Sequence, residues 1–214
     1  WITENRTMKS MIAGLLLGIG TGLGMGLGAG LAEAEPIDTA NIVAAETGDF
    51  NKDGMSDLAL LVRGEDAMDL RFFLQSPDGG YLLEKAVARG KVWGVAEPDG
   101  IGGQDPQLKA LANGSLQVTT HNDGIGRDRW SETLTIAYRN TDFVVAGFTY
   151  SYHDTLDEYN NGDCDVNVLT GKGSGNRPDG KQGNIPFKVS IGPQFVPFKD
   201  WEDAAVMAAC HIGG

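Results

Sequence analysis

The sequence predicts a mainly β protein, with antiparallel strands in meander order and one short C-terminal helix. Three observations carry this. Residues 130–152 alternate apolar and polar side chains with a period of two, in two long runs joined by Asn140-Thr141-Asp142. Shorter apolar runs at 58–63, 69–74 and 81–87 are each bounded by turn-forming residues. Near the C-terminus, Pro193 and Pro197 preclude a long helix, leaving room only for a short terminal one.

At the N-terminus, Met8 reads as the initiator and residues 1–7 as an over-extension of the frame. From Met11 to Ala32 there is no charge, and Ala32-Glu33-Ala34 supplies the small-residue pattern of a cleavage site. Positive start, apolar stretch and A-x-A together predict a signal peptide over 1–34, with the mature chain starting at Glu35 as a single β-rich domain, 35–214. A competing reading is a membrane helix. Gly14, Gly18, Gly22, Gly26 and Gly30 recur every four residues, a seam along which helices can oligomerise.

Residues 40–45 predict a first strand, and the stretch after it is the most informative in the chain. Gly48-Asp49-Phe50-Asn51-Lys52-Asp53-Gly54-Met55-Ser56-Asp57 places oxygen-bearing side chains at Asp49, Asn51, Asp53 and Asp57, with Gly54 after the third. Hard oxygen donors at alternate positions, plus a glycine for the sharp turn, suit one Ca2+ ion. The backbone carbonyl of Met55 would complete the set. An EF-hand would need a bidentate Glu at the twelfth position, but Leu60 stands there, inside a β-like run.

The pattern D-x-N-x-D-G-x-x-D leading into a strand resembles the calcium loops of FG-GAP/VCBS repeats, as in integrin-type β-propellers. The resemblance spans residues 48–62 and implies a Ca2+ ion held by Asp49, Asn51, Asp53, Met55 and Asp57. It also implies that the loop and the strands 58–63, 69–74 and 81–87 form one propeller-blade-like unit. No second copy of the motif occurs, so a full propeller is excluded.

Residues 93–106 are rich in Gly, Asp and Pro and predict a long loop, where Asp99 and Asp105 are candidates for a second ion. Gln107–Leu111 and Ser115–Thr120 flank Asn113-Gly114 and predict a hairpin with a tight primed turn. In the long hairpin, Trp130, Leu134, Ile136 and Tyr138 share one face, and Val144, Ala146, Phe148, Tyr150 and Tyr152 share another. The segment 154–165 is the most acidic patch, read as a solvated turn before a strand at 166–170. Its spacing fits no known ion loop. Residues 171–183 predict a flexible excursion and 184–190 a last strand. Asp200, with Asp203 three residues on, predicts the cap of a short helix that carries Cys210.

The chemistry is sparse. His121, His153 and His211 are scattered, and no nucleophile elbow, P-loop or dinucleotide fingerprint occurs. No catalytic residue is assigned. A net charge of −12 argues against nucleic acid and anionic membrane surfaces. Cys164 and Cys210 in an exported chain predict one disulfide. The expectation is a periplasmic or secreted, calcium-binding, non-catalytic β protein whose partner is a protein or a carbohydrate. Trp130, Phe148, Tyr150 and Tyr152 are the candidate ligand face. The rivals are an envelope hydrolase with a carboxylate-lined cleft and a membrane-anchored protein oligomerising through its Gly-rich segment.

Overall fold

Eleven strands in two antiparallel sheets account for most of residues 36–95 and 102–212, which the computed structural model describes. The first sheet is a four-stranded meander: β1 (Ile42–Gly48), β2 (Asp57–Arg63), β3 (Met68–Gln75) and β4 (Leu82–Val92). The second is a seven-stranded meander: β5 (Gln107–Ala110), β6 (Leu116–Asn122), β7 (Asp128–Arg139), β8 (Asp142–Asp154), β9 (Asn161–Asn167), β10 (Lys172–Pro178) and β11 (Asn184–Ser190). Among the described residues the one α-helix is the short α1 (Ala204–Ala209), which follows β11. The mainly β expectation is met, and neither sheet closes into a barrel. The signal peptide, the Gly-rich seam and Asp99 lie outside the described residues.

One core joins the sheets. Leu61, Leu70 and Phe72 from the first meet Leu116, Ile136, Phe143 and Phe148 from the second. The rings of Phe72 and Phe143 stack with centroids 3.8 Å apart. Each such side chain, fully withdrawn from water, contributes ~1.5–3 kcal/mol. Period-two alternation therefore decides which face of each strand turns inward.

The register departs from that alternation once in the long hairpin. Thr135 pairs with Gly147 but Ile136 pairs with Val145, so Ala146 is left as a bulge. Beyond it the faces swap. Phe143 and Val145 join Phe148, Tyr150 and Tyr152 toward the core, not the predicted Val144 and Ala146. Val144, also buried, bridges instead to Pro197.

Three further expectations are corrected. The Asn113-Gly114 turn is not a two-residue primed turn: β5 ends at Ala110, β6 starts at Leu116, and only Gly114 of the pair is left-handed, at φ +78°. A Cβ on Gly114 would fall 2.7 Å from the Asp49 carbonyl oxygen, so this turn is shaped by its packing against the 48–57 loop. The true two-residue turn is Asn140-Thr141, both left-handed, between the paired Arg139 and Asp142. Next, β9 begins inside the acidic patch, and the predicted excursion at 171–183 contains β10, paired on both sides. Finally, α1 starts after Asp203 with no side-chain cap, and the Asp200 carboxylate bonds Lys199 instead.

Cys164 on β9 and Cys210 at the end of α1 form the predicted disulfide. No helix among the described residues is long and apolar enough to cross a membrane.

Candidate functional site

The 48–57 loop is held from both ends. Phe50, only 2 % exposed, inserts into the core and meets Phe72 edge-on at 6.1 Å. Between Phe50 and the buried Asp57 at the other end, Lys52 and Gly54 take left-handed φ values of +65° and +86°, which curl the backbone back on itself. The side chains then fold over the curl. Asp53 N–H donates to both Asp49 Oδ1 and Asn51 Oδ1, each at 3.0 Å. Gly54 N–H donates to Asp49 Oδ2 at 3.0 Å and Met55 N–H to Asp53 Oδ1 at 2.8 Å. Asn51 Nδ2 in turn donates to Asp53 Oδ2 at 2.7 Å.

Asp49, Asn51 and Asp53 are thus drawn together around the amides of residues 53–55. Asp57 serves differently. It is 1 % exposed, and its Oδ2 accepts from the N–H groups of Phe50 (2.8 Å) and Asn51 (3.3 Å). Its Oδ1 accepts from Gln75 N–H at 3.0 Å. This carboxylate pins the start of the loop to the end of β3. A carboxylate oxygen has two lone-pair sites, so Oδ1 keeps one open while Oδ2 is filled. Among the described residues no three His, Cys, Asp or Glu side chains stand together as a metal-binding group.

Four of the five carboxylates in the 154–165 patch have hydrogen-bond partners. Asp154 accepts from Arg127 Nε at 2.8 Å and from Leu156 N–H at 2.8 Å. The guanidinium beside it holds its carboxyl down to about 2. Asp163 accepts from Asn176, Asp165 from Thr149, and Asp157 from Tyr159 N–H. The patch at 154–165 is therefore a set of turn and cross-strand bonds. His121 bridges the Asp123 carboxylate and the Asp105 carbonyl, at 2.8 and 2.9 Å.

A cleft of about 450 Å³ lies between the far end of β7–β8 and the C-terminal segment. Trp130, Tyr150 and Tyr152 form one side, Met207, His211 and Ile212 the other. Asp128, Arg129, His153 and Asn160 line it as well. Of the predicted ligand face, Phe148 is wholly buried and Tyr150 nearly so, while Trp130 and Tyr152 are half-buried. Trp93 extends the aromatic run, its ring 5.0 Å from that of Trp130.

Beside this cleft stands a residue passed over in the sequence, Glu132. It occupies the inward position between Trp130 and Leu134, paired with Thr120 on β6 and Tyr150 on β8. Burial, then the nearby Asp203 carboxylate, pushes its carboxyl up to about 7. The same surroundings push the Tyr150 hydroxyl up to about 12, through burial first and Glu132 second. The signal was present in the alternation itself: Trp130, Glu132, Leu134, Ile136 and Tyr138 share one face, and one of them is an acid.

Glu132 gives a pH-dependent prediction. The unfolded chain ionises it near 4.5, the folded chain only near 7. Between those values the unfolded state binds fewer protons, so this group's penalty on stability grows as pH rises and is complete above 7. Glu132→Gln should therefore stabilise the protein at pH 8 by roughly 2–3 kcal/mol, and by nothing near pH 4. Thermal melts of both proteins at the two pH values check this, and equal melting points at pH 8 would refute it.

No family model, curated protein or solved structure matches this chain.

Proposed function

We propose that this is an exported, calcium-binding, non-catalytic β protein in which one Ca2+ ion sets the geometry of the 48–57 loop. The ligands are Asp49, Asn51, Asp53, the Met55 carbonyl and the open lone pair of Asp57 Oδ1. The observation that carries this reading is the shared Asp53 N–H, which holds oxygens of Asp49 and Asn51 each 3.0 Å from one nitrogen. Two hard oxygen donors held that close, one of them on a carboxylate, favour a cation among them. Binding would displace the Asn51 amide from Asp53 Oδ2 and leave the Asp57 brace in place.

The loop's position indicates what the ion does. Gly48 packs against Ala110 and the Asp49 carbonyl against Gly114, so the loop lies on the seam between the two sheets. An ion there stiffens the seam. The reading as an FG-GAP/VCBS-like loop rests on the same residues. Export is supported by the A-x-A site and by a disulfide, a bond that persists in oxidising compartments.

The test is a calcium titration. Binding to the folded state alone raises stability by RT ln(1 + [L]/Kd), about 2.7 kcal/mol at a hundredfold excess over Kd. The melting temperature should rise with Ca2+ and much less with Mg2+, which demands a tighter octahedral shell. Asp53→Ala should abolish the rise, and Asp105→Ala should leave it unchanged. A melting curve identical in chelator and millimolar Ca2+, with no calorimetric heat, would overturn the proposal.

A further inference from the structure

We infer that the cleft between β7–β8 and the C-terminal segment binds a neutral mono- or disaccharide, stacked on Trp130 and Tyr152. The cleft shares no residue with the 48–57 loop, and the inference stands apart from the calcium reading.

Size comes first. About 450 Å³ lies within the ~300–1,000 Å³ typical of small-ligand sites. The lining comes second. A purely aliphatic ligand needs only apolar walls, but this cleft pairs aromatic rings with hydrogen-bonding groups. Trp130 and Tyr152 are half-buried and offer apolar bodies with polar tips. Asp128, His153 and Asn160, all exposed, place a carboxylate, an imidazole and an amide around them. A pyranose ring matches this division. Its C–H face is apolar and its edge carries hydroxyls that both donate and accept.

Charge selects a neutral sugar. The Asp154 carboxylate is neutralised by Arg127, with Nη2 and Oδ2 2.5 Å apart. Arg129 follows Asp128 in sequence and lines the same cleft, so acid and base alternate within it. No excess of positive charge is available to hold a phosphate or a uronate, and the protein as a whole carries −12. An extended peptide fits less well. β7 and β8 are interior strands with both edges already paired, so they offer no edge for strand addition. Binding is the whole of the activity inferred. Asp154, the buried carboxylate of the cleft, is committed to Arg127, to Leu156 N–H and, at 3.4 Å, to Asn160 Nδ2, which leaves the Asn160 amide oxygen to face a ligand.

The experiment is calorimetry with intrinsic tryptophan fluorescence on the full folded protein. The probes are cellobiose, maltose, lactose and N,N′-diacetylchitobiose, with a galacturonic acid disaccharide and trialanine as contrasts. At least one neutral disaccharide should bind and perturb the emission, equally in Ca2+ and in chelator. Trp130→Leu should weaken that binding by roughly tenfold or more, equivalent to one stacking contact. Should Trp130→Leu fail to fold, Asp128→Ala and Asn160→Ala at exposed positions each serve, with a several-fold loss expected. The inference is overturned if no neutral disaccharide binds the folded protein, if the galacturonate or trialanine binds more tightly, or if the folded variants bind as the parent does.

Discussion

Replacing Asp57 with Ala should destabilise the fold by about 3–5 kcal/mol, and the loss should be fully present when calcium is chelated. The carboxylate is the common partner of three backbone N–H groups, those of Phe50, Asn51 and Gln75. Alanine leaves all three without an acceptor, and the Phe50 amide sits beside a ring buried in the core. Each stranded buried donor costs ~1–3 kcal/mol, more where the lost acceptor was charged. Asp57→Asn should recover part of the loss, because its carbonyl can still accept while its amide faces donors. Urea denaturation in chelator reads the effect as a lower midpoint at unchanged slope. If Asp57→Ala matched the parent in chelator and differed only in Ca2+, Asp57 would be a metal ligand alone and the brace would be refuted. Asp53→Ala makes the contrast. Its carboxylate is exposed, so the stability lost in chelator should be small.

Asp57 also marks where sequence reading stops. The spacing Asp49, Asn51, Asp53, Asp57 is visible in the sequence, and so is its fit to an ion loop. What spacing cannot carry is which way each side chain turns. Asp57 opens β2, where alternation points it inward against the end of β3, a contact between elements. The same limit explains the strands. β2, β3 and the last strand, β11, were legible because apolar runs or β-branched residues lie between turn signals. β9 and β10 were not, because their sequences, Asn161–Asn167 and Lys172–Pro178, are rich in Gly, Asp and Asn. Those glycines are there for packing. A Cβ on Gly162 would fall 2.8 Å from the Tyr152 ring, and one on Gly175 2.7 Å from the Phe187 ring. Tertiary contact overrides strand propensity at these positions. The bulge at Ala146 had no local signature either, since Val144, Val145 and Ala146 suit both faces. Glu132 was legible in principle, as an acid in an apolar row; its cover, Asp203, is 71 positions away in sequence and becomes visible only in the fold.

The disulfide should have the second large effect, and its loss should be felt locally before it is felt globally. Cys164 and Cys210 are 46 residues apart, and closing a loop of that length stabilises by roughly 3–4 kcal/mol in the chain-entropy model. α1 is six residues long, too short to persist on its own hydrogen bonds. It is held by the buried side chains of Val206 and Cys210, and by the bridge to β9. Without the bridge, α1 and the residues after it should detach first, taking Met207 and Ile212 away from the cleft. The segment ahead of α1 brings Asp203 toward Glu132, so its loosening should also let the Glu132 carboxyl titrate closer to its ordinary range. A Cys164→Ser/Cys210→Ser variant should therefore show three linked changes. Its unfolding midpoint falls, amide exchange quickens over residues 203–212, and the stability decline between pH 4.5 and 7 becomes shallower. The first sheet, β1–β4, should keep its protection until global unfolding. A double-serine variant that melts with the parent, with residues 203–212 equally protected, would show that packing alone holds the C-terminal segment.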